Sequence, residues 1–209
     1  MAPTKQKGYL PWLISVLSIA IISSLPMSYA LSSSSSSSST GTLDPTYLYK
    51  QITTLARPGD LIVFRGTSKL LNIAGYWHHV AIYLGNGEIV HATPDYGVTI
   101  QNLIEALNDR VAVALIRVKT TDSVRQKAIQ FALAQVGKPY DYGYLVYPGG
   151  KQVYGSSYYC SELTWASYLA AGGPDIDANP GFTLRYGYNV APDEIVADND
   201  VYVVASWSV

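Results

Sequence analysis

Apolar and polar positions alternate with different periods along this chain, and each change of period marks an element. Residues 10–25 carry no charge, and an eight-serine run, Ser32 to Ser39, separates them from the rest. Beyond Asp44 the pattern becomes that of a folded domain. Asp44-Pro45 is an N-cap followed by proline at the first helical position, and Tyr47, Leu48, Ile52 and Leu55 recur at helical spacing, predicting a helix that ends before Pro58-Gly59. Residues 60–65, DLIVFR, read as a buried strand after a turn, residues 79–93 as two strands about Gly85-Asn86-Gly87, and residues 111–118, VAVALIRV, as another strand. A short helix is expected over 101–108. A longer one is expected from Asp122 as its cap, with Val124, Ala128, Ile129, Ala132, Leu133 and Val136 on one side and Gly137 as its stop. Residues 138–159 are irregular and hold seven tyrosines, residues 160–171 read as a helix ending at Gly172-Gly173, and residues 201–205 as a last strand. Hairpins replace regular βαβ alternation, which predicts an α+β fold with an antiparallel sheet packed against helices.

Composition changes this picture only at the N-terminus. A chain of 209 residues with 48% hydrophobic content suffices for one core, and a net charge of -1 with no basic cluster after Lys7 leaves no footprint for nucleic acid. Lys5 and Lys7, the apolar segment and the small-residue end Ser28-Tyr29-Ala30 give residues 1–30 the layout of a signal peptide. A slightly extended version of the same segment is long enough for a membrane anchor. Residues 31–43 then form a Ser-rich linker, and residues 44–209 the domain. With the lysines retained inside, the domain is expected outside the cell or at its surface, free or tethered to the membrane through the N-terminal segment.

All three histidines, His78, His79 and His91, fall in one window, HHVAIYLGNGEIVHA. Neighbouring strand residues point to opposite faces, so His78 and His79 cannot ligate one ion together, and neither a metal nor any other cofactor is expected. Cys160 is the only cysteine, which leaves an exported chain without an intramolecular disulfide. It opens a helical pattern, where the partial positive charge of the helix start favours thiolate; this marks it as a candidate nucleophile. Hairpin parity decides which histidine can join it. A three-residue loop 85–87 puts His79 on the face of His91, whereas a two-residue loop Asn86-Gly87 puts His78 there.

PGDLIVF (58–64), HVAIYLGNGEIVHA (79–92), GKPYD (137–141), YYCSELTWASY (158–168) and APDEIV (191–196) together resemble the YiiX/YaeF-like, circularly permuted branch of the NlpC/P60 papain-like cysteine hydrolases. The resemblance spans nearly all of 44–209. It implies a permuted papain-like fold, with Cys160 as nucleophile, His79 as general base and His91 as the third polar residue. Many YiiX-like chains resemble one another in having glutamate where His91 stands; a histidine there is more similar to the lecithin:retinol acyltransferase group, which acts on lipid acyl esters. The expected activity is thiol hydrolysis of an amide or peptide bond, with cell-envelope material as one source. Acyl-lipid substrates at the same site, or an inactive tethered binding module, are the alternatives. Asp60 is expected to fix the turn before its strand, and Glu162 to cap its helix.

Overall fold

The computed structural model describes residues 41–67, 75–146 and 149–209; the expected leader or anchor and most of the serine linker lie outside the described residues. Helix α1 (Pro45–Leu55) starts as its cap requires, with Asp44 Oδ1 accepting from the Thr46 amide at 2.8 Å. It is followed by β1 (Leu61–Gly66), β2 (His79–Gly85), β3 (Glu88–Thr93), β4 (Gly97–Asn102), the single turn α2 (Leu103–Ala106) and β5 (Arg110–Val118). Then come α3 (Asp122–Ala134), a 3-10 turn (Tyr142–Leu145), α4 (Cys160–Ala170), α5 (Pro192–Ala197) and β6 (Val201–Ser208). The six strands form one antiparallel sheet in the order β4-β3-β2-β1-β5-β6.

Strands β1 and β5 read as unbroken apolar runs because both faces of the sheet are covered. Leu61 and Val63 point into a cluster with Val80, Ile82, Val90, Ile116, Ile129, Cys160 and Leu163, beneath α3 and α4. Ile62 and Phe64 point into a second cluster with Leu48, Ile52, Ala81, Tyr83, Ile89 and Leu103, beneath α1 and α2. Asp60 does more than fix a turn. It accepts from the Arg57 amide at 2.7 Å and from Arg117 Nε and Nη2 on β5, each at 2.6 Å, so the buried start of β1 is tied to the middle of the sheet.

Four local expectations change. Residues 97–102 form β4, whose polar outer positions gave no strand signal, so Gln101 and Asn102 end a strand and Asn102 caps α2. Thr121, not Asp122, caps α3 by accepting from the Val124 amide, and Leu133 and Val136 are exposed beyond its buried stripe. Residues 192–197 form α5, and β6 runs three residues past the expected 205. At the β2–β3 turn both expected geometries contribute. Asn86 and Gly87, both at positive φ, make a two-residue turn closed by Gly85 opposite Glu88, and a bulge then shifts the register so that Tyr83 faces Ile89 and Ile82 faces Val90. The bulge restores the parity of the three-residue loop, and His79 and His91 share a face.

Candidate active site

Cys160 is delivered by the first residue of α4. That helix is buried on the sheet from Cys160 to Tyr168, and its polar residues Ser161, Glu162, Thr164 and Ser167 are each satisfied by hydrogen bonds. Tyr159 at the N-cap position offers no side-chain acceptor to the first-turn amides, and those of Cys160 and Ser161 turn to the thiol. A third donor comes from the sheet, the N–H of Val80. This is the peptide unit that joins His79 to Val80, so the sulfur rests against the backbone of the histidine strand. Burial pushes the Cys160 thiol above its ordinary range, and these donors only partly offset it.

His79 begins β2, and its Nε2 lies 2.9 Å from His91 Nδ1. By strand alternation His79 starts on the side of Ala81 and Tyr83, with its ring 5.8 Å from that of Phe64, whereas Val80 points to the Cys160 side. The His79 imidazole therefore leaves β2 on the face opposite the one that packs on Cys160, and its neighbours are His91, Phe64 and Arg110 rather than the thiol. Burial holds His79 well below the usual histidine range, with the His91 and Arg110 charges acting in the same direction. Burial and then Arg110 hold His91 at about 4. Arg110 reaches this corner from β5, its guanidinium 5.3 Å from the centre of the Phe64 ring. Both imidazoles are neutral at physiological pH, so one proton lies between them. If it sits on His79 Nε2, His91 carries its own proton on Nε2, a buried atom with no partner, and His79 Nδ1 is left as an acceptor. His78, just before the strand, has both ring nitrogens buried without a partner, and burial and Arg65 depress its pKa.

Among the described residues no three His, Cys, Asp or Glu side chains converge to hold a metal. The tyrosine-rich stretch divides between core and site. Tyr158 is fully buried, donating to the Val153 carbonyl at 2.8 Å, while the Tyr140, Tyr144 and Tyr159 rings form a row with centroids 6.0 and 5.7 Å apart. Burial, and to a lesser degree the nearby Cys160, raises the pKa values of the Tyr140 and Tyr144 hydroxyls. The sequence contained this motif, GKPYD, but nothing local in it tied a tyrosine to the thiol. Glu162 caps as expected, accepting from the Tyr159 amide at 3.3 Å, and also fastens the preceding loop through the Gln152 amide at 2.8 Å.

Comparison with known proteins supports this fold. The crystal structure of the metalloprotein YiiX from Escherichia coli O157:H7 superposes with a TM-score of 0.56, covering 74% of this chain and 99% of that one at 21% identity, which shows a shared fold. The uncharacterized protein YycO of Bacillus subtilis (strain 168) is 29% identical over 109 residues, a match spanning 49% of this chain and 41% of that protein. Residues 56–206 match the family described as permuted papain-like amidase enzyme, YaeF/YiiX, C92 family. With nearly the whole sheet and α4 inside that match, the chain belongs to the YaeF/YiiX (C92) family of permuted papain-like amidases.

Proposed function

We propose that this hydrolase acts outside the cytoplasm and cleaves an amide or peptide bond, with Cys160 as nucleophile, His79 as general base and His91 orienting His79. One observation carries the reading. The Val80 amide, part of the peptide that follows His79, bonds the thiol, and the His79 ring is bonded to His91, so the thiol adjoins the backbone of the residue whose side chain is proposed as base. Burial keeps thiol and imidazole neutral at rest, so the proton moves only as attack begins. Cys160 Sγ attacks the carbonyl carbon as His79 Nδ1 takes the thiol proton, and the N–H groups at the start of α4 face the developing oxyanion. His79 then returns the proton to the leaving amine. It next takes one from water, which attacks the thioester and regenerates the thiol. Export rests on Lys5, Lys7 and the Ser28-Tyr29-Ala30 end of the leader.

A second substrate class, lipid acyl esters, is favoured by the exposed apolar pair Leu145 and Val146, which follows Tyr144 in sequence. Turnover of acyl esters without turnover of peptide amides would select it.

The test is the rate of Cys160 alkylation by iodoacetamide against pH. His79→Ala is expected to lower the rate at pH 7 by about tenfold or more, because the group that takes the thiol proton is gone, and to abolish turnover. His91→Ala should fall between His79→Ala and wild type. His78→Ala should leave both properties nearly intact. An unchanged profile in His79→Ala would remove the proposed pair, and an effect confined to His78→Ala would transfer the base to that residue.

A further inference from the structure

Residues 190–193 bond to sequence neighbours of both members of the proposed catalytic pair. At one end, the Val190 amide donates to Tyr159 Oη at 3.0 Å and its carbonyl accepts from Ser161 Oγ at 2.8 Å. Val190 is thus bonded to both residues that flank Cys160. At the other end, the Asp193 carboxylate accepts from the Tyr76 amide at 2.8 Å and from the Trp77 amide at 2.7 Å. These amides belong to the turn that leads into β2, with Trp77 two residues before His79. Between the two ends the segment has little freedom. Pro192 fixes its own φ at the start of α5, and Glu194 Oε2 accepts from the Ala191 amide at 2.9 Å.

The turn on the histidine side is shaped to receive Asp193. Gly75 has φ +127°, and a Cβ there would collide with the Asp193 carboxylate and with the Tyr186 hydroxyl, which itself lies 3.4 Å from Asp193 Oδ2. A side chain at position 75 would push the turn away from α5. Cys160 and His79 lie far apart in sequence and on different elements, so their separation depends on tertiary contacts alone. A displacement of about 1 Å in a reacting group can lower a rate on the order of 100-fold.

We propose that residues 190–193 form a clamp that sets the separation of Cys160 and His79, with Asp193 as its positioning residue. The clamp rests on the roles assigned above to Cys160 and His79.

The test is the profile of Cys160 alkylation by iodoacetamide against pH, measured beside thermal melting for wild type, Asp193→Ala, Asp193→Asn, Gly75→Ala, the Gly75→Ala/Asp193→Ala double variant and His79→Ala. Asp193→Ala should slow alkylation at pH 7 by about fivefold or more and move the profile toward that of His79→Ala, because a displaced His79 takes the thiol proton less readily. Asp193→Asn keeps one carbonyl acceptor and should lie between Asp193→Ala and wild type. Gly75→Ala should reproduce Asp193→Ala, and the double variant should be no slower than the slower single, because both changes open the same contact. Folded Asp193 variants that melt earlier but keep the wild-type profile, with His79→Ala shifted, would overturn the clamp and leave the catalytic pair standing; additive effects in the double variant would do the same. An unshifted His79→Ala would overturn the pair and the clamp with it. If Asp193→Ala does not fold, Asp193→Asn decides, and a wild-type profile there overturns the clamp.

Discussion

Replacing Asp60 by alanine should cost this protein about 4 kcal/mol, a figure that follows from what the carboxylate holds. Asp60 is fully buried and Arg117 is 8% exposed, and the two meet through paired contacts of 2.6 Å. Removing one partner of such a pair leaves an uncompensated buried charge, which costs about 3–5 kcal/mol. The remaining Arg117 partners, the Leu55 carbonyl at 3.3 Å and the Tyr202 hydroxyl, offset only part of this. The Arg57 amide also loses its acceptor, but Arg57 is exposed and water replaces the carboxylate there. Domains of this kind are stable by about 5–15 kcal/mol, so the loss is a large fraction of the total. At about 2–4 °C per kcal/mol it corresponds to a melting temperature lower by roughly 10 °C. Urea and thermal unfolding followed by circular dichroism measure it directly. Asp60→Ala combined with Arg117→Met should recover at least about 2 kcal/mol, because the stranded cation is gone. A single-variant loss below about 1 kcal/mol, or strict additivity in the double variant, would refute the reasoning.

Glu162 should give stability a pH dependence. Burial pushes its carboxyl up to about 7, even though the Gln152 and Tyr159 amides support the charge. Because the folded value exceeds the unfolded one of about 4.3, wild-type stability falls as pH rises between the two values. Glu162→Gln should therefore gain on wild type by about 2–3 kcal/mol between pH 5 and pH 8, and equal urea midpoint differences at the two pH values would disprove this. The fragment 41–209 should fold alone with a cooperative melt, since every element of the sheet and its helices lies within it; a molten fragment beside a folded full-length chain would displace the domain boundary. Protein from its native host should begin at or near Leu31, whereas an intact Met1 or Ala2 in the membrane fraction would establish an anchor.

Local signals were sufficient for much of the fold. Asp44 and Pro45 announce α1, the apolar runs at 61–64 and 111–118 announce strands covered on both faces, and the isolated Cys160 marks the start of a helix. These features reside in spacing, capping chemistry and hydrophobic period, which act over a few residues. Strand β4 escaped because at the sheet edge Thr99 to Asn102 alternate between half-buried and exposed positions and its sequence, GVTIQN, has little apolar period. The pairing of His79 with His91 could be narrowed from sequence to two registers. It was settled by a bulge at the end of β2, whose formation depends on how the strand meets its neighbours. Other features depended wholly on the tertiary fold: the thiol against the His79–Val80 peptide, Tyr140 and Tyr144 beside it, Arg117 on Asp60, and Asp193 on the amides before His79. Each joins residues distant in sequence, and no local period or propensity records such a partner. The sequence by itself therefore determined which elements form and which residue types can do chemistry, because those follow from short-range physics. Only the packing of α4 and α5 against the sheet decided which of those residues meet, because burial, charge and hydrogen-bond geometry at the site exist only once distant segments share one corner.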